Sequence, residues 1–364
     1  MLFIKSEDLK YGMRLAKPIY NREGTLLYER NTRLTMKGIE SVKNFGLLGL
    51  YILEPAEPVP PMTDEDLDFE KFQTMAVFSI RDELDNIIAG RMPKNLQKLA
   101  EAIIINYGRL DHKITFNQNL RSTTDYVYKH VINTAILCAL ISSHARVTAS
   151  DQMELVMAAL LHDTGKLLLP SRIRDKYDDY DVNDLVVVRK FQNDSLSLIR
   201  PELGMDNGVR RIVAQIHRME YDDGNIDAGN ILKATKILKV ANLFDTMTCM
   251  KLNGDSMSEI AAVKYLLLNK DEFDEEVVGA LLKSINILTP GVCIELTNKE
   301  KGLVIAENPD NILRPMVLGF TSNKIYDLSN NGVYRRYQIV DIMKTMDNRI
   351  KVDQETLEEY MHRR

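Results

Sequence analysis

Between residues 64 and 286 apolar positions recur every three or four residues, the spacing that lays one stripe along an α-helix. The runs predict helices over 67–89, 96–107, 124–143, 152–168, 182–199, 209–221, 231–251, 257–268 and 275–284, separated by polar stretches such as Asp222-Asp223-Gly224-Asn225. Such a set makes an all-α domain with its own core. After Thr289-Pro290-Gly291 the period falls to two. Stretches 292–296, 302–305 and 316–320 predict strands of a small antiparallel unit. Ahead of the helices, Ile19-Tyr20 and Thr25–Tyr28 flank a turn containing Gly24, and a helix over 35–44 precedes a strand over 48–53.

Between these regions, residues 54–61 hold four prolines, which can neither propagate a helix nor sit in a central strand. The predicted fold class is therefore α+β and multidomain. It comprises an accessory α+β module (1–53), a Pro-rich linker (54–63), a helical domain (64–286), a β-rich extension (287–350) and a polar tail helix (351–364).

The 364-residue chain is 45% hydrophobic and 27% charged, as in ordinary soluble globular proteins. A formal net charge of −5 argues against general nucleic-acid binding, while leaving room for one phosphate pocket. Cys138, Cys249 and Cys293 form no CxxC pair, and Cys138 sits in an apolar run that reads as core. The N-terminus meets charge too early for a signal peptide, and no apolar run reaches about 18 residues, the length of a membrane span. These features lead us to expect a cytoplasmic protein without membrane insertion.

One string concentrates chemistry: Leu160-Leu161-His162-Asp163-Thr164-Gly165-Lys166. Adjacent helical side chains project about 100° apart, so His162 and Asp163 meet one ion only near a turn to which other helices contribute. Gly165 is expected to supply backbone freedom there, and Lys166 suits phosphate. The plainer reading is a capped helix end with incidental His and Asp. His130, at the start of an apolar helix 32 residues upstream, could be an ordinary core histidine. Helix–loop–helix spacing also lets it lie beside His162 and Asp163.

With those residues in view, the chain resembles the HD superfamily of metal-dependent phosphohydrolases, whose ligand pattern is His…His-Asp…Asp on a helical bundle. The stretch His162–Pro170 matches the HDxGKxxxP pattern of the HD-GYP branch, and Ile237–Thr248 resembles its "RILxVADxFDAMT" helix. The resemblance implies cyclic di-GMP hydrolysis at a two- or three-iron centre. It implies metal ligands at His130, His162 and Asp163, with His217 and Asn242 at further ligand positions, and catalytic roles for Asp163 and Lys166. It also implies phosphate contacts from Lys166 and from Lys236, which stands where an Arg is expected. Arg218, a departure from the pattern, could by its charge stand in for a second ion and hold an anion.

Several positions depart from the branch pattern. Phe191-Gln192-Asn193 stands where a ligand His is expected, His217-Arg218 where paired histidines are expected, and Asn242 replaces an Asp. The segment 222–227 lacks the Gly-Tyr-Pro loop, and Lys251-Leu252-Asn253 replaces an Arg-Pro-Tyr clamp. An imidazole binds iron or manganese better than a carboxamide does, and Arg218 places a fixed cation where a second ion would sit.

The expectation is one divalent metal ion, iron or manganese, or none. The protein is then a cyclic dinucleotide signalling protein with weak or absent phosphodiesterase activity. Its partners would be a cyclic dinucleotide or other phosphate-containing small molecule, together with a signalling protein. An active single-metal phosphohydrolase is one alternative reading. The other is a scaffold that forms a homodimer through residues 67–89 or the tail, although neither carries a sustained heptad.

Overall fold

A computed structural model describes residues 2–53, 62–116, 122–221, 230–251 and 256–343. Most of the linker, the 222–227 loop, Leu252-Asn253 and the tail helix lie outside these residues.

The N-terminal module contains strands β1 (Leu2–Lys5), β2 (Arg14–Leu15), β3 (Ile19–Tyr20) and β4 (Leu26–Tyr28), helix α1 (Met36–Asn44) and strand β5 (Gly49–Leu53). Strands β1, β5 and β2 form one antiparallel sheet in that order, and β3 pairs with β4 as predicted. Sequence periodicity missed β1 and β2, which are too short to show alternation. Leu15, Leu34, Ile39, Val42 and Ile52 close a small core of their own.

The helical region contains α2 (Asp64–Ile88), α3 (Leu96–Tyr107), α4 (Tyr126–His144), α5 (Ala149–Leu161), α6 (Thr164–Leu167), α7 (Ser171–Arg174) and α8 (Val182–Ser195). It continues with α9 (Asn207–Tyr221), α10 (Lys233–Thr248), α11 (Glu259–Leu268) and α12 (Glu275–Ser284). Helix starts coincide with side chains able to accept an otherwise unpaired backbone N–H. Thr63 with Asp66 and Asp181 with Asp184 form capping boxes, and Thr148, Ser258 and Asp274 cap α5, α11 and α12. Each such cap stabilises its helix by about 1 kcal/mol.

At the centre lies α4, buried on every side from Val131 to Ser142, including Cys138 at 0% exposure. It packs against α2, α3, α5, α10 and α12. A helix apolar all round must occupy the middle of a bundle. That position makes the N-terminal turn of α4 a fixed platform for His130.

The C-terminal sheet has strands β6 (Cys293–Leu296), β7 (Lys301–Ala306), β8 (Met316–Gly319) and β9 (Ile325–Asp327), a short helix α13 (Asn331–Tyr334), and β10 (Ile339–Ile342). The strand order is β10-β6-β7-β8-β9, antiparallel throughout. Sequence pattern found β6 to β8 but not β9 and β10. One face, carrying Ile294, Leu296, Val304 and Val317, joins the helical core, while Cys293, Leu303 and Ile305 form a separate cluster on the other. This is the period of two expected of strands with apolar residues on both faces.

Candidate metal centre

The predicted continuous helix over 152–168 is broken in the structure. α5 ends at Leu161, Asp163 leaves helical geometry (φ −103°, ψ 14°), and α6 restarts at Thr164, whose hydroxyl donates to the Leu161 carbonyl. The break lets two sequence neighbours converge. Nε2 of His130, Nε2 of His162 and Oδ2 of Asp163 lie within 4.8 Å of one another, all three residues being buried.

Gly165 has a different role from the one expected. It sits inside α6 without a left-handed φ, and a Cβ there would lie 2.5 Å from Gln192 Oε1 and 2.6 Å from the Phe191 carbonyl oxygen. What it supplies is close approach of α8, not conformational freedom. That approach delivers Gln192, fully buried, whose Nε2 donates to Asp163 Oδ1 at 2.6 Å.

Each histidine has its tautomer set by a hydrogen bond on the far side of the ring. His162 Nδ1 lies 2.7 Å from the Ala159 carbonyl oxygen, which can only accept, so Nδ1 carries the proton and Nε2 presents a lone pair. Burial, only partly opposed by the Asp163 charge, pushes the His162 pKa down to about 4, so the ring is neutral near pH 7. His130 Nδ1 donates to Asp245 Oδ2 at 2.7 Å. Burial favours a neutral His130, but the hydrogen bond and charge of Asp245, then the Asp163 charge, outweigh it and raise its pKa to about 9. Asp245 is in turn held by Asn133 Nδ2 (2.9 Å), and Asn133 by Gln73 Nε2 (3.0 Å).

Asn242 Oδ1 accepts from His130 Nε2 at 2.7 Å and lies 3.4 Å from His162 Nε2. Its amide nitrogen donates to Glu220, whose carboxyl is shifted up to about 7, by desolvation first and the Asp163 charge second. Glu220 is nevertheless exposed as a residue, so water reaches its side chain. Asp163 Oδ2 lies 3.6 Å from His130 Nε2 and 3.9 Å from His162 Nε2. Three groups that can only accept, His162 Nε2, Asn242 Oδ1 and Asp163 Oδ2, therefore face one another. The proton on His130 Nε2 and the Lys166 ammonium, 2.9 Å from Asp163 Oδ2, supply positive charge to them.

A divalent ion bound at about 2.0–2.2 Å spaces its donors about 3.0–3.5 Å apart. The two imidazole nitrogens stand 3.6 and 3.9 Å from Asp163 Oδ2, and all three donors lie within 4.8 Å of one another, so convergence of these side chains lets the donor set fit one ion. Among the described residues no further group of His, Cys, Asp or Glu offers a comparable cluster.

Burial raises the Asp163 carboxyl, but Lys166, then His162 and His130, outweigh it and hold it well below the usual carboxylate range. Lys166 Nζ sits 2.9 Å from Asp163 Oδ2 and 2.8 Å from Asp178 Oδ1.

Other expected site residues lie apart from the cluster. His217 is 1% exposed, and its Nε2 donates to the His162 carbonyl at 2.7 Å, so it braces the helix end instead of presenting that nitrogen to an ion. Arg218, the next residue on α9, faces solvent. Lys236 pairs with Asp274 at 2.9 Å, about a turn and a half of α10 from Asn242.

Residues 110–277 match the HD domain family. The chain is 23% identical over 234 residues to the cyclic di-GMP phosphodiesterase PA4108 of Pseudomonas aeruginosa, an overlap covering 61% of this chain and 53% of that protein. It is 21% identical over 203 residues to the cyclic di-GMP phosphodiesterase PdeB of Borreliella burgdorferi (54% and 52%). It is also 23% identical over 152 residues to the cyclic di-GMP phosphodiesterase response regulator RpfG of Xanthomonas campestris pv. campestris (40% of each).

The chain carries a region, residues 110–277, that matches the HD domain. The chain spans about half the length of the curated relatives it matches. In this HD domain, among the described residues, no helix is long and apolar enough to cross a membrane.

Sequence reasoning passed over Asp245, Asn133, Gln73 and Asp178. The first two were within reach: Asn242/Asp245 and His130/Asn133 are both i, i+3 pairs, and on facing helices such pairs oppose one another. Gln73 carries no signal beyond its place in α2.

Two expectations follow. Asp245→Asn puts a neutral amide at His130 Nδ1 and removes the carboxylate that fixes the ligating tautomer. Divalent-ion affinity, measured by titration calorimetry, should fall about 10- to 100-fold.

The second concerns pH. His130 is raised in the folded protein, so its contribution to metal-free stability is complete below about pH 6.5 and is lost as pH rises toward about 9. The rise from 6.5 to about 9 corresponds to about 3 kcal/mol. Urea denaturation of chelator-treated protein should show that decline between pH 6.5 and 9, and Asp245→Asn should flatten it. A flat wild-type profile would mean His130 is not held protonated.

Proposed function

We propose that this protein works in cyclic dinucleotide signalling, binding cyclic di-GMP at the His130–His162–Asp163 centre with weak or absent phosphodiesterase turnover. The observation that carries the reading is the convergence of His162 Nε2, Asn242 Oδ1 and Asp163 Oδ2 with Lys166 beside them. Two imidazoles and a carboxylate suit a first-row ion such as iron or manganese. His130, His162 and Asp163 would hold it, with Asn242 as a neutral oxygen donor. When bound, the ion would supply Lewis-acid polarisation of a phosphate oxygen.

The chain's own residues set the limits of that chemistry. Gln192 spends its amide on Asp163, and Asn242 brings no charge. Lys166 orients a phosphate as a point charge and offers no proton acceptor while ammonium. One ion without a partner neutralises less of the charge that develops on a phosphodiester than a pair does, which supports binding over turnover.

The test is cyclic di-GMP binding by calorimetry and turnover by chromatography, on wild-type protein, Lys166→Ala and His162→Ala/Asp163→Ala. Binding without turnover, lost in Lys166→Ala, is the expected result. Turnover abolished by the double substitution would replace this reading with an active single-metal phosphohydrolase.

A further inference from the structure

We infer that Asp178 is a built-in competitor for the anion position on Lys166, and so sets the affinity of this site for phosphate. The inference rests on the reading of Lys166 as the phosphate contact. Asp178 Oδ1 lies 2.8 Å from Lys166 Nζ, and Asp178 Oδ2 accepts from the Tyr126 hydroxyl at 2.9 Å. A carboxylate thus takes the place on the buried ammonium that an oxygen of a bound phosphate would take.

The backbone that delivers it is strained. Tyr177 (φ 51°) and Asp178 (φ 70°) are consecutive non-glycine residues in the left-handed region, in the connection between α7 and α8. Each such residue costs free energy and persists only where surrounding contacts impose it. Here the contacts are the Lys166 pair, the Tyr126 hydrogen bond and an edge-to-face packing of the Tyr126 and Tyr177 rings at 5.4 Å. A ligand phosphate that replaces the Asp178 carboxylate on Lys166 releases one of them, and the stored strain favours departure of the loop.

There is space beside it. Tyr126 and Tyr177, with Leu167, Thr124, Arg81 and Arg174, line a cavity of about 550 Å³. Two of the residues that brace Asp178, Tyr126 and Tyr177, therefore also wall the volume into which the rest of a ligand would extend.

The test measures binding of inorganic phosphate and of cyclic di-GMP by calorimetry to wild type, Asp178→Asn, Lys166→Gln and the double variant. Asn tolerates the left-handed conformation and still accepts from Tyr126, so Asp178→Asn removes the charge and leaves the loop. A site open only a fraction of the time binds more weakly by that fraction, and abolishing the competitor should tighten both ligands by about tenfold or more. The gain should vanish in the double variant. Unchanged or weaker binding in Asp178→Asn, with binding still lost in Lys166→Gln, overturns the competitor role alone. Binding that survives Lys166→Gln overturns both this inference and the phosphate-contact reading beneath it. No binding by either wild type or Asp178→Asn also overturns the inference.

Discussion

Asp163→Ala should remove the metal site and destabilise the fold together, by about 3–5 kcal/mol, the usual cost of leaving a buried charge without its partner. Lys166, 8% exposed, would keep only Asp178, and the buried Gln192 amide would lose the carboxylate oxygen it donates to at 2.6 Å. In a domain of this size the melting temperature should drop by about 10 °C. Asp163→Asn separates the two effects. It keeps an oxygen for Gln192 but removes the one anionic donor of the cluster, so ion binding should fail while most of the stability loss is spared. An Asp163→Ala protein that melts with wild type would mean that Lys166 and Gln192 do not depend on this carboxylate.

Gly165→Ala should be the most damaging small substitution near the centre. The added Cβ would stand 2.5 Å from Gln192 Oε1 and 2.6 Å from both Gln192 Cα and the Phe191 carbonyl oxygen. Two of those atoms are backbone, so α8 itself must retreat. Overpacking of this kind costs about 1–3 kcal/mol, and retreat of α8 also withdraws Gln192 from Asp163. The same change at Gly279, inside α12 with nothing within 4 Å of the added atom, should stabilise by about 0.5–1 kcal/mol through helix propensity alone. Opposite shifts in two thermal melts would separate packing from propensity. If Gly165→Ala melts no lower than wild type, α8 does not hold the position described.

Much of the helical architecture was legible because α4, α5, α10 and α12 carry long apolar runs, and α3 and α12 end where their periodicity ends. The break at His162–Asp163 was not legible. Apolar periodicity continues through Leu167 and Leu168, and neither proline nor a left-handed glycine marks the interruption. The convergence of His130, His162 and Asp163 was allowed by motif spacing, since adjacent antiparallel helices can bring such positions together, and the coordinates place the three side chains within reach of one another. Their protonation states did not, because these depend on the Ala159 carbonyl and on Asp245, which only coordinates place against the rings.

The fate of the cationic side chains was equally hidden. Composition shows that Lys166, Lys236 and Arg218 are positive, but not that Lys166 is buried between two carboxylates, Lys236 paired with Asp274 and Arg218 turned to solvent. Charge alone carries no direction. The partner of a lysine is set by which helix faces it, and that is a tertiary fact.

The most direct measurement is a manganese titration of chelator-treated protein, followed by calorimetry, beside a His162→Ala variant whose fold is checked by circular dichroism. One ion per chain in wild type and none in the folded variant is the predicted outcome. Binding that persists in His162→Ala, or a wild-type protein that takes up no ion, would contradict the account.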